Sequence, residues 1–146
     1  MTWIRIADPA KNPHGRGRRT DGVIVGVRPN GKKGLAFTVI LGFEATSALR
    51  EHLRWELGQR VALLIGAPDT AMHGQLRIER AENGLKIRPN GSRTPDVWMI
   101  STTDLQMFAT PRPERGEAKK WLISDDGLEM TLPGRITRML RKEGGV

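Results

Sequence analysis

The side chains best suited to chemistry in this chain are its guanidinium and ammonium groups. Arg16, Arg18 and Arg19 sit in a Gly-Arg-Gly-Arg-Arg run, and Arg28, Lys32 and Lys33 bracket a Pro29-Asn30-Gly31 turn signal. Arg77, Lys86, Arg88 and Arg93 recur in the second half of the chain. Cations gathered in this way neutralise phosphates, which supplies most sequence-independent affinity for nucleic acid and makes that affinity salt dependent. Such contacts position a polymer without reading its bases. With 24 Lys and Arg against 16 Asp and Glu, a net charge of +8 favours phosphate polymers or anionic surfaces. The competing use of the same charge is to keep a sheet face soluble and its edge unpaired.

Single-strand binding usually adds aromatic platforms on which bases stack. The chain has three Phe, four Trp and no Tyr. Phe37 and Phe43 lie among apolar neighbours and read as core. Trp98, at a strand start, is the stacking candidate, with Trp121 beside Lys119 and Lys120 as a second and Trp55 placed to seal a dimer. Large aromatics are mostly buried, and that competes with each of these roles.

Catalytic chemistry finds fewer footholds. Cysteine is absent, which excludes disulfides, thiolate metal sites and thiol nucleophiles. His14, His52 and His73 lack ligand spacing, and Asp125-Asp126-Gly127 is explained as turn chemistry. Asp96 followed by Glu117-Ala118-Lys119 has the residue types of a metal-dependent nuclease, in which carboxylates hold Mg²⁺ and a lysine positions water. Here the second half of the pattern falls in a stretch that reads as a linker, where such geometry would be loose. The expectation is a protein that is not an enzyme and needs neither cofactor nor metal. The first residues lack a signal-peptide run and no segment approaches about 20 apolar residues, so the expected compartment is the cytoplasm.

The elements that must position these groups can be read from periodicity. Residues 1–22 are rich in Pro, Gly and cations and read as a flexible basic arm. Val23 to Val27 and Leu35 to Leu41 are strand candidates joined by the Arg28-Pro29-Asn30-Gly31 turn. That tetrapeptide returns as Arg88-Pro89-Asn90-Gly91, either a duplicated unit or one turn solution used twice. Ala45, Ala48, Leu49, Leu53 and Leu57 share a helix face that Gly58 would close. Val61 to Ile65, Leu76 to Arg80 and Leu85 to Arg88 read as strands, and their alternation puts Arg77, Lys86 and Arg88 on one basic face. Val97 to Ile100 is a further strand, and Asp104 caps a short second helix with Leu105, Met107 and Phe108. Residues 109–119 read as a linker, 120–133 as a β-hairpin about Asp125-Asp126-Gly127, and 134–146 as a basic tail. The expected fold is α+β: a curved antiparallel β-sheet with one main amphipathic helix, a short second helix and an additional C-terminal hairpin, residues 23–108 forming the binding domain.

Over residues 21–108 this order of elements, with the Gly58-Gln59-Arg60-Val61 and Ile100-Ser101 segments, resembles the bacterial and phage branch of the transcriptional-coactivator/Whirly single-stranded-DNA-binding proteins. The resemblance implies a homodimer whose helices pack together while curved sheets present basic and aromatic groups to single strands. The loop 66–74, the hairpin 120–133 and the scarcity of aromatics depart from that pattern. The Gly-x-Arg-Val strand is also similar to the swapped-hairpin DNA-binding regulators, which implies duplex binding. The expected function is therefore non-catalytic nucleic-acid binding, single-stranded DNA foremost, through Arg16, Arg18, Arg19, Arg28, Lys32, Lys33, Arg77, Lys86, Arg88, Arg93 and Trp98. The alternatives are a duplex-DNA-binding transcriptional regulator, a phage or accessory protein-interaction module and, last, the nuclease.

Overall fold

The computed structural model describes residues 4–5, 22–29, 35–67, 70–91, 96–105 and 113–139. Its first long strands follow from β-branched alternation. In β2 (Val23–Pro29), Val23, Val25 and Val27 are buried, and in β3 (Leu35–Leu41) so are Phe37, Val39 and Leu41. The two pair antiparallel from Val23 opposite Leu41 to Pro29 opposite Leu35, as the turn signal between them predicts. Two-residue β1 (Ile4–Arg5) precedes them in the chain.

The main helix, α1 (Phe43–Leu53), buries Ala45, Leu49 and Leu53 at a four-residue repeat, and the Thr46 hydroxyl donates to the Leu41 carbonyl at 2.9 Å. It stops earlier than its apolar stripe predicts. Arg54 takes a left-handed conformation (φ 61°), its N–H bonds the Arg50 carbonyl, and Trp55 N–H reaches the Leu49 carbonyl. The bond from the left-handed Arg54 back to the Arg50 carbonyl closes a five-residue turn, the αL-type helix stop. It swings Trp55 into the core, leaving Leu57 exposed and Gly58 (φ 91°) to turn the chain toward the next strand.

Strands β4 (Arg60–Ile65), β5 (Gln75–Arg80), β6 (Leu85–Lys86), β7 (Arg88–Pro89), β8 (Trp98–Leu105), β9 (Glu114–Glu117), β10 (Lys119–Ile123) and β11 (Gly127–Thr131) complete two antiparallel sheets, and α2 (Gly134–Thr137) follows. The six-stranded sheet runs β1-β10-β11-β5-β4-β6 and the five-stranded sheet β7-β8-β3-β2-β9. Only Ile87 separates β6 from β7, and only Ala118 separates β9 from β10; both are buried. Hydrogen bonding continues through both bends, from Gly58 N–H to the Ile87 carbonyl and from Ala118 N–H to the Val23 carbonyl. Two bent strands are thus shared between the sheets and close them on both sides, the way sheet corners are usually turned. One hydrophobic core, including Trp55, Trp98, Phe37, Ile78, Leu128 and Met130, fills the space between.

The architecture is α+β and mostly strand, as expected, with three local differences. Asp104 does not cap a helix: the Ser101-Thr102-Thr103 run suits an extended chain, pairs with β3 and carries β8 through Leu105. The short second helix is α2 instead. Part of the expected linker is β9, a strand with no apolar side chain of its own, held by its pairing with β2. The C-terminal hairpin is present as β10 and β11, and β11 pairs with β5, so the hairpin belongs to the six-stranded sheet. Both Arg-Pro dipeptides end a strand as its last paired residues, but Pro29 and its partner Leu35 span five residues while Pro89 and its partner Trp98 span eight. Among the described residues, no helix is long and apolar enough to cross a membrane.

Candidate nucleic-acid interface

The outward face of the five-stranded sheet is built by the residues that alternate with its buried valines. Pairing register places Glu117, Ile24, Ile40, Met99 and Arg88 in one row across β9, β2, β3, β8 and β7. The next row is Arg115, Gly26, Thr38 and Ser101, and Arg28 follows two residues along β2. These rows form a groove of about 550 Å³ whose lining, among the described residues, includes Arg28, Arg115 and Arg135 and one carboxylate, Glu114. Its floor is aliphatic on one side, where Ile24, Ile40 and Met99 are half-buried, and small and polar on the other. There, Thr38 Oγ1 and Ser101 Oγ lie 3.4 Å apart.

Helix α2 brings in the third arginine. It packs on β9 because Gly116 faces Pro133: a Cβ at position 116 would stand 2.9 Å from the proline ring. Arg135 then reaches the groove from the helix while Ile136 is buried.

The expected site residues divide among several places. Arg28 and Arg88 are exposed on this outward face, at β2 and β7. Arg77 and Lys86 are not with them. The alternation through Leu85-Lys86-Ile87-Arg88 predicts one face, but the bend at Ile87 sends Lys86 to the six-stranded sheet, opposite Arg60, and Arg88 to the five-stranded one. The expected single basic face is therefore two. On the six-stranded sheet, Arg77 Nε donates to Glu79 Oε1 at 2.8 Å and its two other nitrogens donate to Asp126 and Glu129. One cation meets three carboxylates, so its charge is taken up in a cluster that is net acidic and offers no phosphate site. The pairing raises the Arg77 pKa, chiefly through the Glu79 hydrogen bond and against a lowering by partial burial.

Trp98 is a correction of another kind. Its partners Leu41 and Pro89 set it on the inner face, it is fully buried, and its ring lies under the Arg50 guanidinium at 5.1 Å. Arg50 is held there by Asp96 at 2.8 Å. An indole with no exposed face offers no stacking platform, and Trp55 and Trp121 are core as well. Arg16, Arg18, Arg19, Lys32, Lys33 and Arg93 lie outside the described residues.

The nuclease pattern is spread out by the fold. Glu117 is on β9, Asp96 precedes β8, and β2 and β3 intervene, a separation of roughly 14 Å at about 4.8 Å per strand. Two groups so placed do not share a metal ion. Among the described residues, no cluster of three His, Asp or Glu could hold one.

Composition conceals Arg115 and Arg135, the first inside an apparent linker and the second in an apparent tail. Gly26 did leave a signal. A lone glycine inside an apolar strand run marks a bulge or a close approach by something else.

The chain matches no family model, no curated protein and no solved structure. What this face can bind has to be read from its own geometry.

Proposed function

We propose that this protein is a non-catalytic nucleic-acid-binding protein that holds single-stranded DNA on the outward face of its five-stranded sheet. The observation that carries the reading is the convergence of Arg28, Arg115 and Arg135, from two strands and a helix, on one groove with an aliphatic floor. Guanidinium groups suit phosphate oxygens because their fork of donors matches them. The floor suits the other half of a single strand, the unstacked base, which a duplex keeps inside. A duplex is read by an element that enters the major groove; α1, the long helix here, instead keeps its apolar face in the core. With no aromatic side chain among the described residues that line it, the face favours phosphate contact over base recognition, which suits binding without sequence preference.

A homodimer in which helices pack together has little of α1's apolar face left to use, since Ala45, Leu49 and Leu53 are already covered within one chain. Any dimer would form through another surface.

Titration of labelled single-stranded DNA, duplex DNA and RNA at several salt concentrations tests the proposal. Single-stranded DNA should bind best, with log K falling against log salt at a slope of about −2, close to 0.7 per phosphate for three neutralised phosphates. Absence of binding near physiological salt would overturn it. Preference for one duplex sequence by about 10³ or more would point to the regulator instead.

A further inference from the structure

Gly26 has no reason of its own to be glycine. It sits in mid-strand between Val25 and Val27, its φ is not positive, and a Cβ built on it would meet nothing closer than the Glu114 carbonyl oxygen at 3.8 Å and Arg115 Cγ at 3.9 Å. Glycine weakens a strand by its entropy and its missing side chain. The contrast with Gly84 and Gly127 is direct, since a Cβ there would stand 2.1 Å from the Val61 carbonyl oxygen and 2.4 Å from that of Ile78. Those two are required by the fold and Gly26 is not.

What the missing side chain creates is a depression. Gly26 shares its row with Thr38 and Ser101, whose short side chains end in hydroxyls, and the next row is walled by Ile24, Ile40 and Met99. Arg115 stands at the β9 end of the Gly26 row. A flat floor of bare backbone, two groups able to donate or accept hydrogen bonds, an aliphatic wall and a cation at the end together match a flat heteroaromatic ring carrying an anion.

Resting on the single-strand reading above, we infer that the Gly26 depression is a base subsite: one nucleobase lies flat on the backbone of Gly26 with its edge toward Thr38 and Ser101, while its phosphate meets the groove arginines. The bare backbone with its aliphatic wall takes the place that an aromatic platform holds in other single-strand binders, and the rotatable hydroxyls accept any base edge. The subsite therefore anchors a base without selecting which.

Filling the depression separates this role from phosphate contact. Gly26→Val adds a β-branched side chain that suits the strand and leaves every arginine in place. Binding of labelled oligothymidylate and of an abasic strand of equal length and charge is to be measured for the unaltered chain, Gly26→Val and Ser101→Leu, with thermal unfolding alongside. Ser101→Leu fills the same row from an exposed position on a different strand, so the test does not hang on one variant's folding.

For oligothymidylate, each variant should lose about tenfold in affinity, as loss of one stacked base would, with the salt slope unchanged. On the abasic strand both variants should match the unaltered chain, and the melting temperature of Gly26→Val should hold or rise. Unchanged oligothymidylate affinity in both variants, or equal losses on the abasic strand, would overturn the subsite while leaving single-strand binding intact. Failure of the unaltered chain to bind either strand overturns the parent reading and the subsite with it.

Discussion

Arg77 on β5 stands directly opposite Glu129 on β11, and its guanidinium joins that carboxylate to Glu79 and Asp126 across the outer face of the six-stranded sheet. The pair is only about a quarter exposed on each side, so removing the cation leaves carboxylates facing each other with reduced access to water. Arg77→Met should destabilise the fold by about 1–2 kcal/mol at low salt, less than a fully buried pair because Asp126 is well solvated. Denaturant unfolding at low and high salt measures it, and the deficit should shrink as salt screens the repulsion. Single-stranded DNA affinity should not fall; a large fall would return Arg77 to the binding surface.

The sign of the pH dependence follows from the direction of the Arg77 shift. A group whose folded pKa is raised contributes stability in full below its unfolded pKa and loses it only as pH rises through the folded value. Arg77 is raised above an already strongly basic value, so its contribution stays constant between about pH 5 and 9. The stability difference between the unaltered chain and Arg77→Met should accordingly show no loss toward pH 9. A difference that declined as pH rose over that interval would mean the guanidinium is not held as described.

Arg28 and Arg115 approach the groove from neighbouring strands and are exposed, so they make few contacts that the fold needs. Arg28→Ala and Arg115→Ala together should leave the melting temperature within a few degrees. They should make the slope of log K against log salt shallower by about 1.4 for single-stranded DNA, two phosphates at about 0.7 each. An unchanged slope would move the phosphate path off this face.

Much of the fold was legible because its signals are local. Val23, Val25 and Val27 alternate with groups that face water, and Arg28-Pro29 ends that strand where the turn residues begin. The hairpin about Asp125-Asp126-Gly127 is likewise written in its turn. What sequence reading lost depends on partners distant in the chain. β9 has the composition of a linker and becomes a strand only because β2 offers it a ladder. The bend at Ile87 does not interrupt the alternation of Leu85 to Arg88, so nothing in the sequence announces that Lys86 and Arg88 part company there. Arg77 looks like its neighbours in charge, and only the pairing of β5 with β11 reveals that its charge is already taken. The candidate site suffered most, because a groove across four strands and a helix is assembled from residues up to about a hundred positions apart.

Two glycines test close backbone approaches within the six-stranded sheet. The Gly84 turn lies against the Val61 carbonyl where β4 begins, and Gly127 lies against that of Ile78. Gly84→Ala and Gly127→Ala each force backbone apart at a close approach within the six-stranded sheet, and each should cost about 2 kcal/mol or more. Chemical denaturation gives the value directly. A near-neutral result at either position would mean that the backbone relaxes there without losing its bonds.

Arg54 offers a change in the opposite direction. It ends α1 at φ 61° with its N–H committed to the Arg50 carbonyl, so the left-handed conformation is fixed by the helix stop and not by the side chain. The side chain is exposed and makes no ion pair or hydrogen bond among the described residues. A non-glycine residue held at positive φ costs on the order of 1 kcal/mol, which glycine avoids, although glycine gives part of that back through the greater freedom of its unfolded chain. Arg54→Gly should therefore gain about 0.5 kcal/mol and raise the melting temperature by roughly 1–3 °C. Because Arg54 is not among the residues lining the groove, single-stranded DNA affinity should hold as stability rises. A stabilised variant that bound less tightly would place α1's exposed end on the path of the strand, extending the interface from the sheet face to the helix.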